Sequence, residues 1–370
     1  ALEKQRSIFD AETKRAKLLS VDSQQLASDV AEVRRTRFQA RLSQRTASPL
    51  TGEFWDSVSS NLDRDGARIG ALRAGIVAAL KDGFAADNRV FSWSGIGIGL
   101  LLIVFGRWWA ERALLRVTTD RVPQGRLRRS ALACAVVVVA TVFFGFGVNA
   151  IVIGLDWHGA FSDAEAALAH ALVVAAFFGS FVAGLGNALL SVARPSWRLP
   201  PIPDPVAQRL RVFPLLLGCA VGISVLQRHV YTLIGASVSA AIAGSLMVTV
   251  LYSALIGWGL WRTGRARDAA GATDDAAPMV RSPWIGVGIA ALWVGVIAAL
   301  LAALIGYVAL AQQIARQMVA LGIVVATFYL IVHVIEDLIA TAVSSRAGWA
   351  QKTFGLEPRV LDQLAVLWAG

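Results

Sequence analysis

The distribution of apolar and polar positions divides this chain at Asn88. Upstream of it no apolar run approaches membrane length, and from Ala1 to Gln44 there is neither glycine nor proline. That is the pattern of one uninterrupted helix. Leu19, Leu26, Val33 and Ala40 recur every seven residues along it, with Leu2, Phe9, Ala16 and Val30 on the offset positions. This is a coiled-coil-like stripe, interrupted by Ser23 and Arg37. At ~1.5 Å per residue such a helix is roughly 60–70 Å long. Ser48-Pro49 ends it, because proline disfavours the helical conformation in the residue before it. Thr51 is placed as the N-cap of a second helix, with Glu53 and Asp56 in its first turn and Leu50 and Trp55 at the two positions of a hydrophobic staple. Residues 1–88 are therefore predicted to be an extramembrane helical hairpin.

Downstream, seven apolar runs are expected to span a membrane, near 90–110, 131–154, 167–190, 212–226, 230–261, 284–309 and 318–335. Five are near or above the ~20 residues that a spanning helix needs. The fourth is short and contains Pro214, and the fifth is overlong; their boundary is placed at Gln227-Arg228-His229. The predicted class is an all-α, polytopic transmembrane protein. Its domains are the helical arm (1–88), a set of membrane helices (89–337) and a connector (338–370) whose closing LDQLAVLWAG reads as the start of a further helix.

Composition agrees with that class. The 370 residues are 56% hydrophobic and 16% charged, with a mean hydropathy of +0.59, where soluble domains carry about 25% charged residues. The net charge of +10 comes mostly from arginine, and its placement predicts topology. Residues 107–129 hold seven arginines, 191–211 and 262–281 four each, and 338–360 three basic residues; the alternate loops together hold two, Arg228 and Arg316. By the positive-inside rule the first set is cytoplasmic, so the arm lies outside and the chain end inside. In a Gram-negative cell that puts the arm in the periplasm and the spans in the inner membrane. Arginines confined to short loops between apolar runs do not suit nucleic acid. Trp93, Trp108, Trp109, Trp157, Trp258, Trp261 and Trp284 sit near span ends, where aromatic belts anchor helices at the interface. Residue 1 is alanine and no signal peptide is visible, so the sequence is expected to be a mature or partial product.

Candidate chemistry is sparse. His170, His333, Glu336 and Asp337 are the ionisable residues in or near the spans. His333 and Glu336 share a helical face, but one histidine and one carboxylate are too few for a metal site. Cys134 and Cys219 lie in apolar runs and offer neither a disulfide framework nor a zinc site. No nucleotide, metalloprotease or hydrolase motif occurs in a supporting context, so no enzyme and no cofactor is expected. Gly95, Gly97 and Gly99, Ser180 and Gly184, and the stretch 235–245 offer small-residue faces for close helix packing.

Arg35, Phe38, Leu42, Arg45, Ser48, Pro49, Leu50 and Trp55 form the pattern R-x-x-F-x-x-x-L-x-x-R-x-x-S-P-L-x-x-x-x-W. It resembles the periplasmic helical domain of those bacterial MscS-like mechanosensitive channels that carry a large N-terminal extension and extra transmembrane helices. The resemblance is most specific over residues 1–60. It implies a homo-oligomer, a heptamer in that family, with membrane lipids as partners and ions as permeants through a C-terminal pore module that these 370 residues do not include. The chain would then be the periplasmic arm and membrane-sensor portion of a channel that opens under tension and protects against hypo-osmotic shock. The competing readings are a secondary transporter, for which the break at 227–229 is the pointer, and a non-conducting membrane scaffold.

Overall fold

The computed structural model describes every residue except 1, 107, 111, 114, 115, 117–125, 193, 272–282 and 355–370. Among the described residues the chain is all-helical, without a strand. The helices are α1 (Leu2–Ser43), α2 (Gly52–Gly83), α3 (Arg89–Leu100, continued by a π-helical turn, Leu101–Gly106), α4 (Arg126–Leu155) and α5 (Asp163–Leu190). After a single 3₁₀ turn (Pro195–Trp197) follow α6 (Asp204–Arg209), α7 (Phe213–Leu233), α8 (Val238–Gly271), α9 (Pro283–Ile305) and α10 (Val308–Phe354). Seven helical segments are long and apolar enough to cross a membrane, the fourth running from Asp204 to Leu233 and the fifth from Val238 to Arg265.

Four boundaries differ from the sequence reading. Gln227, Arg228 and His229 are helical, inside α7, and the turn between the fourth and fifth spans lies at 234–237. Polar residues at a helix end had suggested the break, whereas the true turn is made where Gly235 adopts φ +55, open to glycine without penalty. Pro214 does not shorten the fourth span. It sits in the first turn of α7, where its missing N–H has no helical acceptor to lose. Residues 264–271 and 338–354, read as loop and connector, continue α8 and α10 as helix. The further helix expected near the chain end lies outside the described residues.

The predicted hairpin is corrected more substantially. The order helix, corner, helix is present, but among the described residues α1 and α2 share no packing interface; α1 instead touches α10. The stripe positions Leu19 and Leu26 are 70% and 68% exposed.

Small residues hold the bundle together. α5 packs on α4 and α7, and α3 packs on α4. A Cβ on Gly95 would lie 2.6 Å from the Gly154 Cα, and one on Gly99 would strike the Gly147 carbonyl, so α3 and α4 meet backbone to backbone. Gly97, between them, faces open space. Gly179 of α5 and Gly218 of α7 make a second such crossing. α10 contacts α4, α5, α8 and α9 along one face. The buried core around it is mainly Ala and Val (Val182, Ala220, Val248, Ala299, Ala315 and Val319), with Tyr252. The larger apolar side chains point outward. Only between 11% and 39% of each spanning window is buried.

Candidate functional site

The corner between α1 and α2 has a definite job. A helix leaves its last carbonyls without intrahelical donors, and α9 ends at Ile305 with a two-residue turn into α10. Ser48 Oγ donates to the Leu304 carbonyl at 2.5 Å and Arg45 Nε to the Ile305 carbonyl at 3.3 Å. The Gly306 carbonyl accepts from both Thr46 N–H (3.0 Å) and Thr46 Oγ1 (2.8 Å). Three successive carbonyls are thus capped by residues some 260 positions away in the chain. Gly306 has φ +104, and a Cβ there would run into the Thr46 carbonyl, so only glycine admits this contact.

The corner is also braced internally. Thr51 begins α2 but does not cap it; its hydroxyl donates back to the Ser48 carbonyl at 2.8 Å, and the Leu50 N–H donates to Ser48 Oγ at 3.2 Å. Trp55 Nε1 donates to the Pro49 carbonyl at 2.9 Å. The staple is therefore replaced by a hydrogen bond. Leu50 is 76% exposed, and the buried aromatic is Phe54, set edge-on to its neighbour Trp55 at 5.1 Å. Of the motif residues in α1, Arg35 is exposed and Leu42 half-buried, while the Phe38 side chain lies outside the described residues.

Farther along, α2 holds a second turn. Asp65, buried in α2, accepts the Ser237 N–H at 3.2 Å and the Ser237 hydroxyl, capping the start of α8 from outside that helix. The Ser237 hydroxyl is also the main reason that the Asp65 carboxyl is held below its ordinary 3.8. One turn on, Arg68 donates to the Gly235 carbonyl, and Asn61 Nδ2 reaches Ser239 Oγ at 3.3 Å.

The third turn is met where α2 passes into α3. Asn88, buried, donates through Nδ2 to the carbonyls of Gly83 and Leu155, both at 3.1 Å. Its Oδ1 pairs with His158 Nδ1 at 2.9 Å. Because that oxygen can only accept, His158 must carry its proton on Nδ1. Ser92, fully buried, donates to the carbonyls of Gly83 and Gly154. Phe91 stacks on Trp157 at 5.1 Å and closes this end.

The corner, α2 and the start of α3 thus hold, one each, the ends of three helical hairpins: α9–α10, α7–α8 and α4–α5. All three turns belong to the set of loops poor in basic residues. They lie at one end of the bundle, with the arm.

The opposite end carries arginines stacked on tryptophans. Arg112 lies 3.3 Å from the Trp108 ring centroid, Arg262 4.6 Å from Trp258 and Arg265 4.2 Å from Trp261. Trp109 is 68% exposed; Trp284 opens α9, its side chain outside the described residues. At the arm end, Trp93 is 58% exposed and leans on Phe84 at 5.7 Å. An open apolar cleft of about 730 Å³ runs between α4, α5 and α7 beneath α2, lined by Leu80, Phe144, Leu172, Leu215 and Ile223 among others. No group of three or more His, Cys, Asp or Glu side chains is placed to hold a metal among the described residues. His333 Nδ1 bonds its own helix at the Tyr329 carbonyl, 3.0 Å away.

Residues 13–75 match the model of a family described as "Protein of unknown function (DUF3772)". The match begins in α1 and ends in α2, so it contains Arg45, Thr46, Ser48, Asp65 and Arg68. No curated protein and no solved structure matches the chain.

Proposed function

We propose that this chain is the outer arm and membrane-sensor portion of a bacterial MscS-like mechanosensitive channel, with its arm in the periplasm and its arginine-rich end in the cytoplasm. The observation that carries the reading is the grip of the corner, α2 and the start of α3 on three hairpin turns, combined with spans that bury little of their surface in one another. Tension changes a closed–open equilibrium only as far as the two states differ in their interaction with the membrane. Thinly packed helices with outward-facing large apolar side chains supply such a difference, through area and hydrophobic thickness. Helices joined at one end by a common strut tilt together rather than singly. A change at the lipid boundary then becomes a coordinated movement of the bundle, passed to the pore module that follows such a sensor in this family. The stripe positions of α1 that are exposed among the described residues, Leu19, Leu26, Val30 and Val33, suit side-by-side packing with the arms of neighbouring copies.

The test is osmotic downshock of a bacterial strain stripped of its own tension-gated channels and expressing the full-length natural protein. The reading expects survival well above that of the empty-vector strain, with the Ser48→Ala/Asp65→Asn double variant impaired although inserted in the membrane. Survival no better than the empty vector, with the wild-type protein verified in the membrane, would overturn it.

A further inference from the structure

At the end of the bundle away from α2, the connector between α5 and α6 is fixed by one arginine and offers another. Arg198, its side chain 5% exposed, is fully engaged: Nε donates to the Leu190 carbonyl at 2.8 Å, and Nη1 pairs with Asp204 at 2.9 Å and also donates to the Ile202 carbonyl. This ties the connector into one shape. It presents Trp197, half-buried on its 3₁₀ turn. Two guanidinium groups converge on that one indole: Arg128, from the start of α4, at 5.1 Å from the ring centroid, and Arg194 at 5.7 Å.

Like charges gathered on one ring repel, and cation–π attraction offsets little of that at an exposed site. Among the described residues neither guanidinium has a carboxylate partner, the nearby Asp204 being bound to Arg198. Arg128 Nε is moreover buried without a hydrogen-bond acceptor. A buried donor on a charged group is expensive to leave unpaired. The unpaired Arg128 Nε–H beside the exposed Arg194 fork suits an oxyanion with several acceptor oxygens, and the one a membrane supplies in bulk is phosphate. The position selects which phosphate. Arg128 stands directly before the apolar run of α4, and Leu199, beyond Trp197, packs against the core of α4, α5 and α10. A phosphate held here has apolar helix surface on one side and water on the other, the setting of a lipid headgroup.

We propose that Arg128, Arg194 and Trp197 form a site for the phosphodiester of an anionic phospholipid. The site depends on membrane insertion alone and stands or falls apart from the channel reading.

The experiment uses the whole chain reconstituted in vesicles of phosphatidylcholine, into which brominated phosphatidylglycerol or brominated phosphatidylcholine is titrated. The Trp197 signal is the fluorescence difference between the wild type and Trp197→Phe. A basic residue near an anionic surface contributes about fivefold in affinity. The expected result is quenching of Trp197 by the phosphatidylglycerol at about one-fifth or less of the mole fraction that phosphatidylcholine needs. The exposed Arg194→Gln should abolish most of that preference without disturbing the fold. Arg194→Lys, which keeps the charge but not the fork, should retain part of it. Equal quenching by the two lipids, or a preference unchanged in Arg194→Gln and in Arg128→Gln/Arg194→Gln, would overturn the site. Loss of the preference on adding millimolar glycerol phosphate would assign it to soluble phosphates and overturn the lipid.

Discussion

At the scale of single residues, the charged stretch that ends on Ser48-Pro49 is explained by carbonyls it does not share a helix with. Ser48→Ala removes the donor to the Leu304 carbonyl and the acceptor for the Leu50 N–H. A cost of about 1 kcal/mol follows for a typical hydrogen bond, read as faster amide exchange at 304–308 and a lower melting temperature in detergent. Gly306→Ala should cost more, about 1–3 kcal/mol, because φ +104 is strained for alanine and its Cβ meets the Thr46 carbonyl. Asp65 gives a pH dependence with a definite sign. Its folded carboxyl titrates below the ordinary 3.8, so its contribution to holding Ser237 is complete above about pH 4 and is lost as pH falls through the lowered value. Amide exchange at 235–239 in the wild type should rise below that range beyond the intrinsic pH effect, and Asp65→Asn should flatten this dependence. Serine, arginine and proline in the corner were conspicuous in the sequence. Thr46 and Asp65 were not, since each caps a helix distant along the chain, and Asn88 marked only a boundary, its bond to the Leu155 carbonyl leaving no trace in local spacing.

At the scale of elements, the apolar runs and their alternation with basic loops were legible because a spanning helix is a local feature, set by length and hydropathy alone. Packing was legible where small residues recur four apart, as at Gly95 and Gly99, at Gly184 against Val137 and Ala140, and at Gly244 against Gln227 and Tyr231. The Gly179–Gly218 crossing joins two runs whose register depends on the bundle. Gly95→Leu should force α3 from α4, at a cost of about 1–3 kcal/mol for overpacking, seen as a lower melting temperature. The same bulk at Gly97, which faces open space, should cost far less. α1 and α2 misled the hairpin reading because adjacency in sequence usually means adjacency in space, and here the corner is inserted into the α9–α10 turn instead. Deleting residues 1–43 should accordingly leave amide protection at 154–158, 234–237 and 304–307 intact, whereas deleting 1–88 should erase it at all three. Protection that survives the longer deletion would show that the turns need no strut.

At the scale of the molecule, two ends of different chemistry are separated by a thinly buried apolar middle. One end is joined through backbone carbonyls by the corner, α2 and the start of α3; the other is faced with arginines resting on indoles. Along α10, Leu321, Val324, Val325, Phe328 and Ile335 keep between 51% and 67% exposure, an apolar stripe left for lipid or for neighbouring helices. On the proposed reading, a strut at one interface and charged anchors at the other would fix the helix ends while leaving the middle free to answer changes in bilayer area. The central claim is that membrane tension acts on this bundle. It is tested most directly by patch-clamp recording under stepped suction, on the full-length natural protein reconstituted in liposomes, with wild type beside the Ser48→Ala/Asp65→Asn variant. The account predicts unitary currents that appear with tension, are missing from empty liposomes, and open at a displaced threshold in the variant. Patches that stay silent up to rupture, although they contain folded and correctly inserted wild-type protein, would contradict it.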